Sequence, residues 1–350
     1  MKLLNFRPQA DETDHFGVLV NGFAVSFAAL QLTFSVEHEE LSDIEAYLEA
    51  FPRSEDLARE LSERGKQEFS QINPDDRYPL DQIKILPPIP QPAALIDFAL
   101  SPEHLKNSSL TLFKNELKWP ARSIMSWMVK RNYKNTTNEA GFKCYKGNHN
   151  SIIGDMDSPI WPAFSSYLDV EAELGVIVGN VPLNAKKDQL EKSIVGYVVF
   201  NDFSARDVQW PELIGRLGLA RSKDFEKSNG LGPFLVTADE VPNPLSLEVV
   251  VKIGDRYEWK GNTAGYVVHP MDVIEYLTRH QSIATGTIFG MGTVPGCCGL
   301  DRDEWILPGE FIEISFSKLG TLRQKIPCEI MQLDKSRWKS RPELQQFVKR

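Results

Sequence analysis

Two glutamates stand two residues apart in the stretch YLDVEAELGVIVG, residues 167–179, whose other side chains are mostly apolar. Residues two apart on a strand point to the same face, so a strand here brings the carboxylates of Glu171 and Glu173 together. At about 5 Å and an effective dielectric constant near 20, two ionised carboxylates repel each other by roughly 3 kcal/mol. Two interpretations are open. Solvent screens the pair on an exposed face, or a buried cation offsets the repulsion and takes further oxygen ligands from elsewhere in the chain.

Other residues with suitable chemistry adjoin apolar runs. Asp202 in NDFSARDVQ follows the run IVGYVVF at the end of a predicted strand, where a rigid scaffold can aim a functional group. Asp97 and His104 in LIDFALSPEHLKN are seven residues apart, and histidine titrates near neutral pH. Taken singly, Asp202 fits a turn or a helix cap, and His104 fits an ordinary surface histidine. Taken together, four carboxylates adjoin apolar runs: Asp97, Glu171, Glu173 and Asp202. Such an all-oxygen set suits Mg²⁺, Mn²⁺ or Ca²⁺ better than zinc.

The elements that must position these residues are mainly strands. Short runs rich in Val, Ile and Phe recur between Gly, Pro and Asn turns from about residue 93 onward, which predicts a mainly β domain. The clearest runs are IVGYVVF (194–200), GPFLVTADEV (232–241), LSLEVVVKI (245–253) and EFIEISF (310–316). The clearest helix in this part is HPMDVIEYLTRHQSI, which has apolar residues on one face.

The first part of the chain has a different pattern. Residues 16–36 carry an Asn-Gly turn between apolar runs, which predicts a hairpin. Residues 37–71 are rich in helix formers, with Ser42 as a candidate cap and a break at Pro52, which predicts two helices. The following segment is proline-dense and disfavours helix. The predicted divisions are a small N-terminal module (1–75), a proline-rich linker (76–92), a catalytic domain (93–335) and a C-terminal tail (336–350).

The composition limits the kinds of partner. The chain has 350 residues and a formal net charge of −9, which argues against nucleic acid or an anionic membrane as the main partner. The N-terminal residues lack the apolar core of a signal peptide, and no stretch reaches the roughly 20 apolar residues of a membrane helix, so we expect a cytoplasmic protein. The cysteines show no Cys-x-x-Cys spacing, so we expect free thiols, with neither a disulfide framework nor a thiolate zinc site. They are Cys144, Cys297, Cys298 and Cys328.

Over roughly residues 80–330 the chain resembles the fumarylacetoacetate hydrolase superfamily. The stretches that carry the resemblance are YLDVEAELGVIVG, GYVVFNDFSARDVQ, SKDFEKSNGLGPFLVTADEV, GNTAGYVV and GTVPG. The resemblance implies a mainly β, α+β fold, in which a small N-terminal α+β module precedes a C-terminal roll of mixed β-sheets. It also implies a homodimer.

The resemblance further implies roles for single residues. The metal ligands are Glu171, Glu173 and Asp202, with Asp97 as the additional acid of the branch that cleaves acylacetoacetates. In that branch a general base follows the acid by seven residues, which is His104 here, and Glu313 resembles the glutamate that orients it. The groups that hold the substrate's oxygens match Arg206, Gln209 and Lys223, and the remaining substrate contacts match Tyr145 and Thr293.

The sequence departs from that branch at two substrate-binding positions. A tyrosine is replaced by Ala99, and an ungapped count to the substrate-gripping arginine arrives at Phe113. Neither side chain donates a hydrogen bond. The adjacent Lys114 is an alternative, but it offers a point charge instead of a bidentate fork. The substrate therefore need not be fumarylacetoacetate.

The resemblance implies a divalent-metal-dependent hydrolase that cleaves a carbon–carbon bond of a β-diketo acid, with a water activated by His104. The same scaffold also supports other enolate reactions, namely decarboxylation of oxaloacetate-type acids, hydration of 2-keto-4-enoates and isomerisation. A histidine base favours hydrolysis over decarboxylation and isomerisation, because only hydrolysis and hydration require activated water. A ligand-binding homologue without turnover is the alternative from another class. The implied partner in every case is a small β-diketo or 2-oxo acid.

Overall fold

The strands of the chain form one large sheet and two smaller ones. A computed structural model describes residues 1–9, 12–132, 142–215 and 218–349. Its strands are β1 (Lys2–Pro8), β2 (His15–Val20), β3 (Phe23–Ser26), β4 (Tyr78–Pro79), β5 (Ile83–Leu86), β6 (Leu95–Phe98), β7 (Cys144–Gly147), β8 (Ile152–Ile153), β9 (Leu168–Asp169), β10 (Glu171–Val178), β11 (Ile194–Asp202), β12 (Ser204–Ala205), β13 (Asn229–Thr237), β14 (Glu248–Ile253), β15 (Tyr257–Asn262), β16 (Thr287–Cys298), β17 (Phe311–Phe316) and β18 (Gly320–Lys325).

Helices connect and cover these strands. They are α1 (Phe27–Phe34), α2 (Ile44–Glu49), α3 (Arg53–Gln67), α4 (Pro102–Glu116), α5 (Ala121–Asn132), α6 (Lys187–Glu191), α7 (Arg206–Gly215), α8 (Ala220–Lys223), α9 (Pro270–Thr278) and α10 (Gly299–Arg302). Short 3₁₀ helices lie at Glu39–Leu41, Phe69–Gln71, Pro74–Asp76, Leu80–Gln82, Ala238–Glu240, Pro244–Ser246, Thr263–Gly265 and Pro342–Phe347. Within the described ranges, no helix is both long enough and apolar enough to cross a bilayer.

The large sheet is mixed and runs in the order β4-β3-β2-β1-β13-β11-β10-β16-β6-β7, with β5 paired to β1 and β8 to β13. β16 and β6 are parallel, whereas β10 is antiparallel to both β11 and β16. A separate four-stranded sheet runs β15-β14-β17-β18, and β12 pairs with β9. This architecture confirms the predicted mainly β, α+β fold class. Strands from both sides of the predicted 76–92 linker join the large sheet, and the boundaries of the divisions stay predictions.

Several predicted elements are confirmed, with local differences. The hairpin turns at Asn21 and Gly22, which have φ of 49° and 89°, but helix α1 follows β3 directly, so the hairpin is shorter than residues 16–36. The two helices divided at Pro52 are α2 and α3, and the cap of α2 is Asp43 instead of Ser42, because the Asp43 carboxylate accepts the Ala46 N–H. The four apolar runs form β11, β13, β14 and β17, and the predicted helix is α9.

Strand β10 is buried along its whole length, because β11 and β16 flank it and side chains cover both faces. Glu171 and Glu173 are 4% and 0% exposed. That burial excludes the solvent-screened interpretation of the pair. The rest of the strand is apolar, as expected for a central strand with no face in water, so its two carboxylates lie in the interior of the protein.

Gly290 makes room for carboxylates that meet across three neighbouring strands. It lies in β16 between β10 and β6, and its register partner on β6 is Asp97. A Cβ atom at this position would lie 2.2 Å from Asp97 Oδ1 and 2.8 Å from Glu173 Oε2. Both distances are shorter than a van der Waals contact. The absent side chain of Gly290 therefore lets the two acids approach each other over the strand.

We predict that Gly290→Ala lowers the free energy of unfolding by about 1–3 kcal/mol, the usual cost of forcing extra atoms into a packed interior. The measurement is urea denaturation in the presence of EDTA. The matched control is Gly215→Ala at the end of α7, where an added Cβ meets nothing within 4 Å. Equal stability of the two variants would show that the acids do not depend on this gap.

Candidate active site

A cavity of about 750 Å³ opens beside the buried acids. Most of the predicted site residues line it: Asp97, Ala99, His104, Tyr145, Glu171, Glu173, Arg206, Gln209, Lys223 and Thr293. Asp202 is fully buried behind this wall and is reached through Tyr145 and Lys223, which both contact its carboxylate. Phe113 and Glu313 are the two predicted residues that the described structure places away from the cavity and from Asp202.

Three of the four predicted metal ligands form one cluster. Asp97 on β6, Glu173 on β10 and Asp202 at the end of β11 each offer a carboxylate oxygen, and these oxygens lie within 4.8 Å of one another. Asp97 Oδ1 and Asp202 Oδ1 are buried and have no hydrogen-bond partner among the described residues. A buried acceptor without a hydrogen-bond partner is costly, and a bound cation would satisfy these oxygens. The cluster therefore has the oxygen ligands of a site for a hard divalent ion.

The same crowding changes the acidity of the cluster. Burial, reinforced by the charge of Asp202, raises the pKa of Asp97 to about 7. Burial also raises the pKa of Asp202 to about 6 although Lys223 opposes the shift, and it raises the pKa of Glu173 well above its ordinary range, with Asp97 adding to the effect. Without a cation, the three groups therefore retain protons that free carboxyls would have lost.

Glu171, the fourth predicted ligand, faces cations instead of the cluster. One of its oxygens lies 2.7 Å from Arg206 Nη2, and the other contacts Lys223 Nζ, which also contacts Asp202. Burial alone would raise the pKa of Glu171, but Arg206 and Lys223 outweigh it and hold the pKa well below its ordinary value. Glu171 is thus ionised beside the cluster, and its role as a metal ligand stays a prediction.

Arg206 is held by an acid that the sequence analysis did not identify. Its Nε donates to Asp169 Oδ2 at 2.8 Å, and Nη1 donates to Gln209 Oε1 at 3.3 Å. Asp169 also accepts the N–H groups of Gly299 and Leu300 at the start of α10. The residue spacing could have identified Asp169, because it precedes Glu171 by two residues, just as Glu171 precedes Glu173.

The two remaining predicted substrate contacts reach the acids. Tyr145 donates its hydroxyl to Asp202 Oδ2 at 2.6 Å. The Thr293 hydroxyl lies 3.5 Å from Glu173 Oε1, and the Gly292 N–H donates to Glu173 Oε2 at 3.0 Å. Both predicted residues line the cavity, so their substrate-binding roles stay predictions alongside these contacts with the acids.

His104 lies in the first turn of α4, where Ser101 caps the helix and Pro102 begins it. Its Nδ1 is 2.9 Å from Asp301 Oδ1, and Asp301 Oδ2 accepts the Gly296 N–H at 2.9 Å. Burial alone would lower the pKa of His104, but the charge and hydrogen bond of Asp301 outweigh it and raise the pKa above its ordinary value. The geometry is that of an imidazole oriented by a carboxylate.

The prediction that Glu313 orients His104 is wrong. Glu313 lies in the middle of β17, in register with Lys252 on β14 and Arg323 on β18. It belongs to the four-stranded sheet, whereas the acid that contacts His104 is Asp301 in α10. The EFIEISF pattern correctly predicts a strand, but the pattern contains no information on which acid lies beside the histidine.

The two departures from the acylacetoacetate branch differ in position. Ala99 lines the cavity, as predicted for a substrate-facing residue. Phe113 instead packs edge-on against Trp210, with ring centroids 6.0 Å apart, so the ungapped count to a substrate-gripping position is wrong. Lys114 forms an ion pair with Asp303 and is also absent from the cavity wall, which removes it as a substitute for the arginine.

Comparison with known proteins places this geometry in a family. The family model described as "Fumarylacetoacetate (FAA) hydrolase C-terminal" matches residues 124–327. Uncharacterized proteins of Staphylococcus aureus strains USA300 and NCTC 8325 / PS 47 are each 27% identical over 199 residues, which cover 55% of this chain and 65% of theirs. The chain thus spans less than two thirds of the length of these relatives.

Solved structures share the fold along nearly the whole chain. Maleylpyruvate hydrolase from Sphingobium sp. SYK-6, in complex with manganese(II) and pyruvate, has a TM-score of 0.63 at 18% identity, covering 93% of this chain and 99% of that chain. A putative HpcE protein from Mycobacterium smegmatis has a TM-score of 0.68 at 20% identity, covering 93% and 99%. A probable 2-hydroxyhepta-2,4-diene-1,7-dioate isomerase from Mycobacterium abscessus has a TM-score of 0.61 at 21% identity, covering 93% and 98%. Because the family match spans more than half of its residues, the chain belongs to the fumarylacetoacetate hydrolase family.

Proposed function

We propose that the protein is a divalent-metal-dependent hydrolase that cleaves a carbon–carbon bond of a β-diketo acid of the fumarylacetoacetate or acylpyruvate type. The observation that carries this proposal is the His104–Asp301 pair at 2.9 Å, on the wall of the cavity that also contains the acid cluster. A general base and a site for a divalent ion in one cavity are the two requirements of such a hydrolysis.

The carboxylate of Asp301 determines which nitrogen of His104 is basic. An ionised carboxylate only accepts hydrogen bonds, so Nδ1 of the neutral imidazole carries the proton that the contact shares. The lone pair then remains on Nε2, which can remove a proton from water. Asp301 also stabilises the imidazolium that forms, in the way that a buried aspartate supports histidine in other hydrolases.

The acid cluster fits a hard ion, and the residues that would hold it are Asp97, Glu173 and Asp202, with Glu171 adjoining them. A bound divalent ion acts as a Lewis acid towards the oxygens of a β-dicarbonyl and favours the enolate form of the product. Support for Mg²⁺, Mn²⁺ or Ca²⁺ comes from the all-oxygen donor set, the unpartnered oxygens of two members, and the manganese(II) in the maleylpyruvate hydrolase structure.

The remaining polar groups stabilise the charge that develops. As the water oxygen attacks the carbonyl carbon, its proton passes to His104 and the carbonyl oxygen becomes an oxyanion. Lys223, Gln209 and Arg206 line the cavity and offer N–H donors to that oxygen. Collapse of the oxyanion breaks the carbon–carbon bond and releases a carboxylic acid and an enolate. The proton held by His104 then returns to the enolate carbon and gives the ketone.

A second candidate is another enolate reaction at the same site. The solved structures with this fold include proteins described as isomerases as well as a hydrolase. Isomerisation or decarboxylation would use the acid cluster without an activated water, and hydration of a 2-keto-4-enoate would use both. A non-catalytic ligand-binding role is less consistent with the buried acids, because their mutual repulsion is costly when no ion binds.

Assembly and location also stay predictions. The homodimer that the family resemblance implies would be able to cover helix α5, which exposes Ile124, Trp127 and Met128 to solvent. Exposed aromatic and methionine side chains of this kind are enriched at protein interfaces. The cytoplasmic location is likewise a proposal, and it rests on the sequence.

We predict that protein stripped with EDTA gains thermal stability on addition of Mg²⁺, Mn²⁺ or Ca²⁺. At roughly 100 times the dissociation constant the gain is about 2.7 kcal/mol, read as a rise in Tm by differential scanning calorimetry. Asp97→Asn removes one repelling charge, so we expect its metal-free Tm to be no lower and its metal-dependent gain to be lost. A full gain in this variant would place the ion elsewhere.

We predict that His104→Gln and Asp301→Asn each lower kcat for an acylpyruvate or fumarylacetoacetate by a factor of about 10² to 10⁴, the usual contribution of a general base. The loss follows because the first variant lacks the base and the second lacks the carboxylate that fixes its tautomer. Glu313→Gln is the control and is expected to retain turnover. Retained activity in His104→Gln would favour an enolate reaction without activated water.

Apolar side chains on the cavity wall lead to a prediction about the acyl tail of the substrate. The wall includes Leu105 and Leu112 from α4, together with Leu213 and Leu219, and Ala99 supplies only a methyl group. The same wall also includes Ser108, Ser109 and Lys143, but it lacks the tyrosine and the arginine of the acylacetoacetate branch, and a site without those two donors discriminates less strongly against apolar tails. We therefore expect a β-diketo acid with an apolar acyl tail to have a kcat/KM at least equal to that of fumarylacetoacetate.

The test of this specificity compares both substrates on the unmodified protein and on Leu105→Arg. The introduced cation is expected to shift the kcat/KM ratio towards the dicarboxylate by about tenfold, or 1.4 kcal/mol. Lys114→Gln, on the same helix but outside the cavity wall, is expected to leave the ratio unchanged. A preference of the unmodified protein for fumarylacetoacetate of about 10³-fold would contradict the apolar tail site.

A further inference from the structure

A second group of potential metal ligands lies at the base itself. His104 Nδ1 is 2.9 Å from Asp301 Oδ1 and 3.8 Å from Cys298 Sγ. The ligand atoms of the three residues all lie within 4.8 Å of one another, and His104 and Cys298 are buried. The group shares no residue with the acid cluster of Asp97, Glu173 and Asp202.

We propose that His104, Cys298 and Asp301 form an inhibitory site for Zn²⁺. Imidazole nitrogen, thiolate sulfur and carboxylate oxygen are the ligands that zinc uses in proteins, whereas Mg²⁺ and Ca²⁺ favour oxygen alone. The two groups therefore select different ions within one active-site region. The binding site stands by itself, and its inhibitory effect rests on the proposed function of His104 as the base.

The distances are close to those of a zinc site. Bonds of about 2.0–2.3 Å in a tetrahedral arrangement place pairs of ligand atoms roughly 3.3–3.6 Å apart. The separation of His104 Nδ1 and Cys298 Sγ, 3.8 Å, needs little change. Asp301 must retreat by about half an ångström from its 2.9 Å hydrogen bond, because the ion takes the place of the shared proton.

Binding releases one proton from the thiol. Burial raises the pKa of Cys298 well above its ordinary value, so the free protein holds a neutral S–H. Zinc binds the thiolate, and the displaced proton leaves to solvent. The carboxylate of Asp301 and the new thiolate then balance the charge of the ion, with the His104 nitrogen as the third ligand and a water as the fourth.

The inhibitory effect follows from the tautomer of His104. In the free protein Nδ1 carries the ring proton and Nε2 carries the lone pair that accepts a proton from water. Zinc requires the lone pair of Nδ1, so the single proton of the neutral ring moves to Nε2. A nitrogen that already holds its proton cannot act as a base, and turnover stops while zinc is bound.

The experiment measures zinc content and turnover on the full chain. Protein incubated with a small excess of Zn²⁺ in millimolar Mg²⁺, which occupies the acid cluster, is passed over a desalting column, and zinc per chain is measured by mass spectrometry. We expect one zinc per chain in the unmodified protein and a loss of at least tenfold in Cys298→Ser and in Cys298→Ala, two variants that guard against a folding defect. Cys297→Ser, at the adjacent buried thiol, and Cys144→Ser, at the exposed thiol lining the cavity, serve as controls and are expected to keep the zinc.

Turnover gives the second readout, with each variant compared with its own zinc-free rate. Zinc is expected to inhibit the unmodified protein and to lose that effect in Cys298→Ser. Inhibition that persists in Cys298→Ser and is relieved by more Mg²⁺ would mean competition at the acid cluster, and would overturn the proposal. Zinc content that does not depend on Cys298 would overturn the site whatever the activity. Zinc binding that depends on Cys298, in a protein that turns over none of the substrates, would uphold the site and reject the proposed function instead.

Discussion

The structure depends on one electrostatic constraint, the burial of more negative than positive charge at the centre of its largest sheet. Among the described residues, six acids with buried carboxylates form the acid cluster or contact Arg206, Lys223 or His104: Asp97, Asp169, Glu171, Glu173, Asp202 and Asp301. Two buried cations, Lys223 and Arg206, lie among them. Since an uncompensated buried charge costs several kcal/mol, the excess must be removed by protonation or matched by a bound ion. Burial raises the pKa values of Asp97, Glu173 and Asp202, which favours protonation of these groups when no ion is bound.

Glu171 lies at the boundary between the two parts of this charged region. Through Lys223 it is linked to Asp202 and the acid cluster, and through Arg206 it is linked to Asp169. Asp169 accepts the N–H groups of Gly299 and Leu300 at the start of α10, the helix that carries Asp301, the partner of His104. One ionised carboxylate therefore connects the site for an ion to the support of His104.

The sequence was sufficient for the features that depend on local periodicity. The alternation of Glu171 and Glu173 in an apolar run predicts a shared strand face, and Asp202 is found at the strand end where the pattern places it. Helix α4 was missed although Ser101 and Pro102 are ordinary start signals. Asp97 and His104 were candidates from their residue types beside an apolar run, and resemblance to a family added their roles, which no periodicity identifies.

The predictions that failed concern residues whose neighbours in the fold come from distant parts of the sequence. Glu313 and Asp301 are both acids in the last part of the chain, and only the pairing of β17 with β14 and β18 shows that Glu313 belongs to another sheet. Cys298 is 194 residues from His104 in sequence, so a search for closely spaced zinc ligands could not find the pair.

The family match begins at residue 124, after both Asp97 and His104. Helix α4, which carries His104, contacts the C-terminal segment, where Trp338 Nε1 donates to Glu116 Oε1 at 2.7 Å. His104 and Asp97 thus lie outside the matched residues, whereas their partners Asp301, Glu173 and Asp202 lie within them. Membership of the family therefore covers only one side of each of these two groups, and the other side is placed by the fold of β6 and α4.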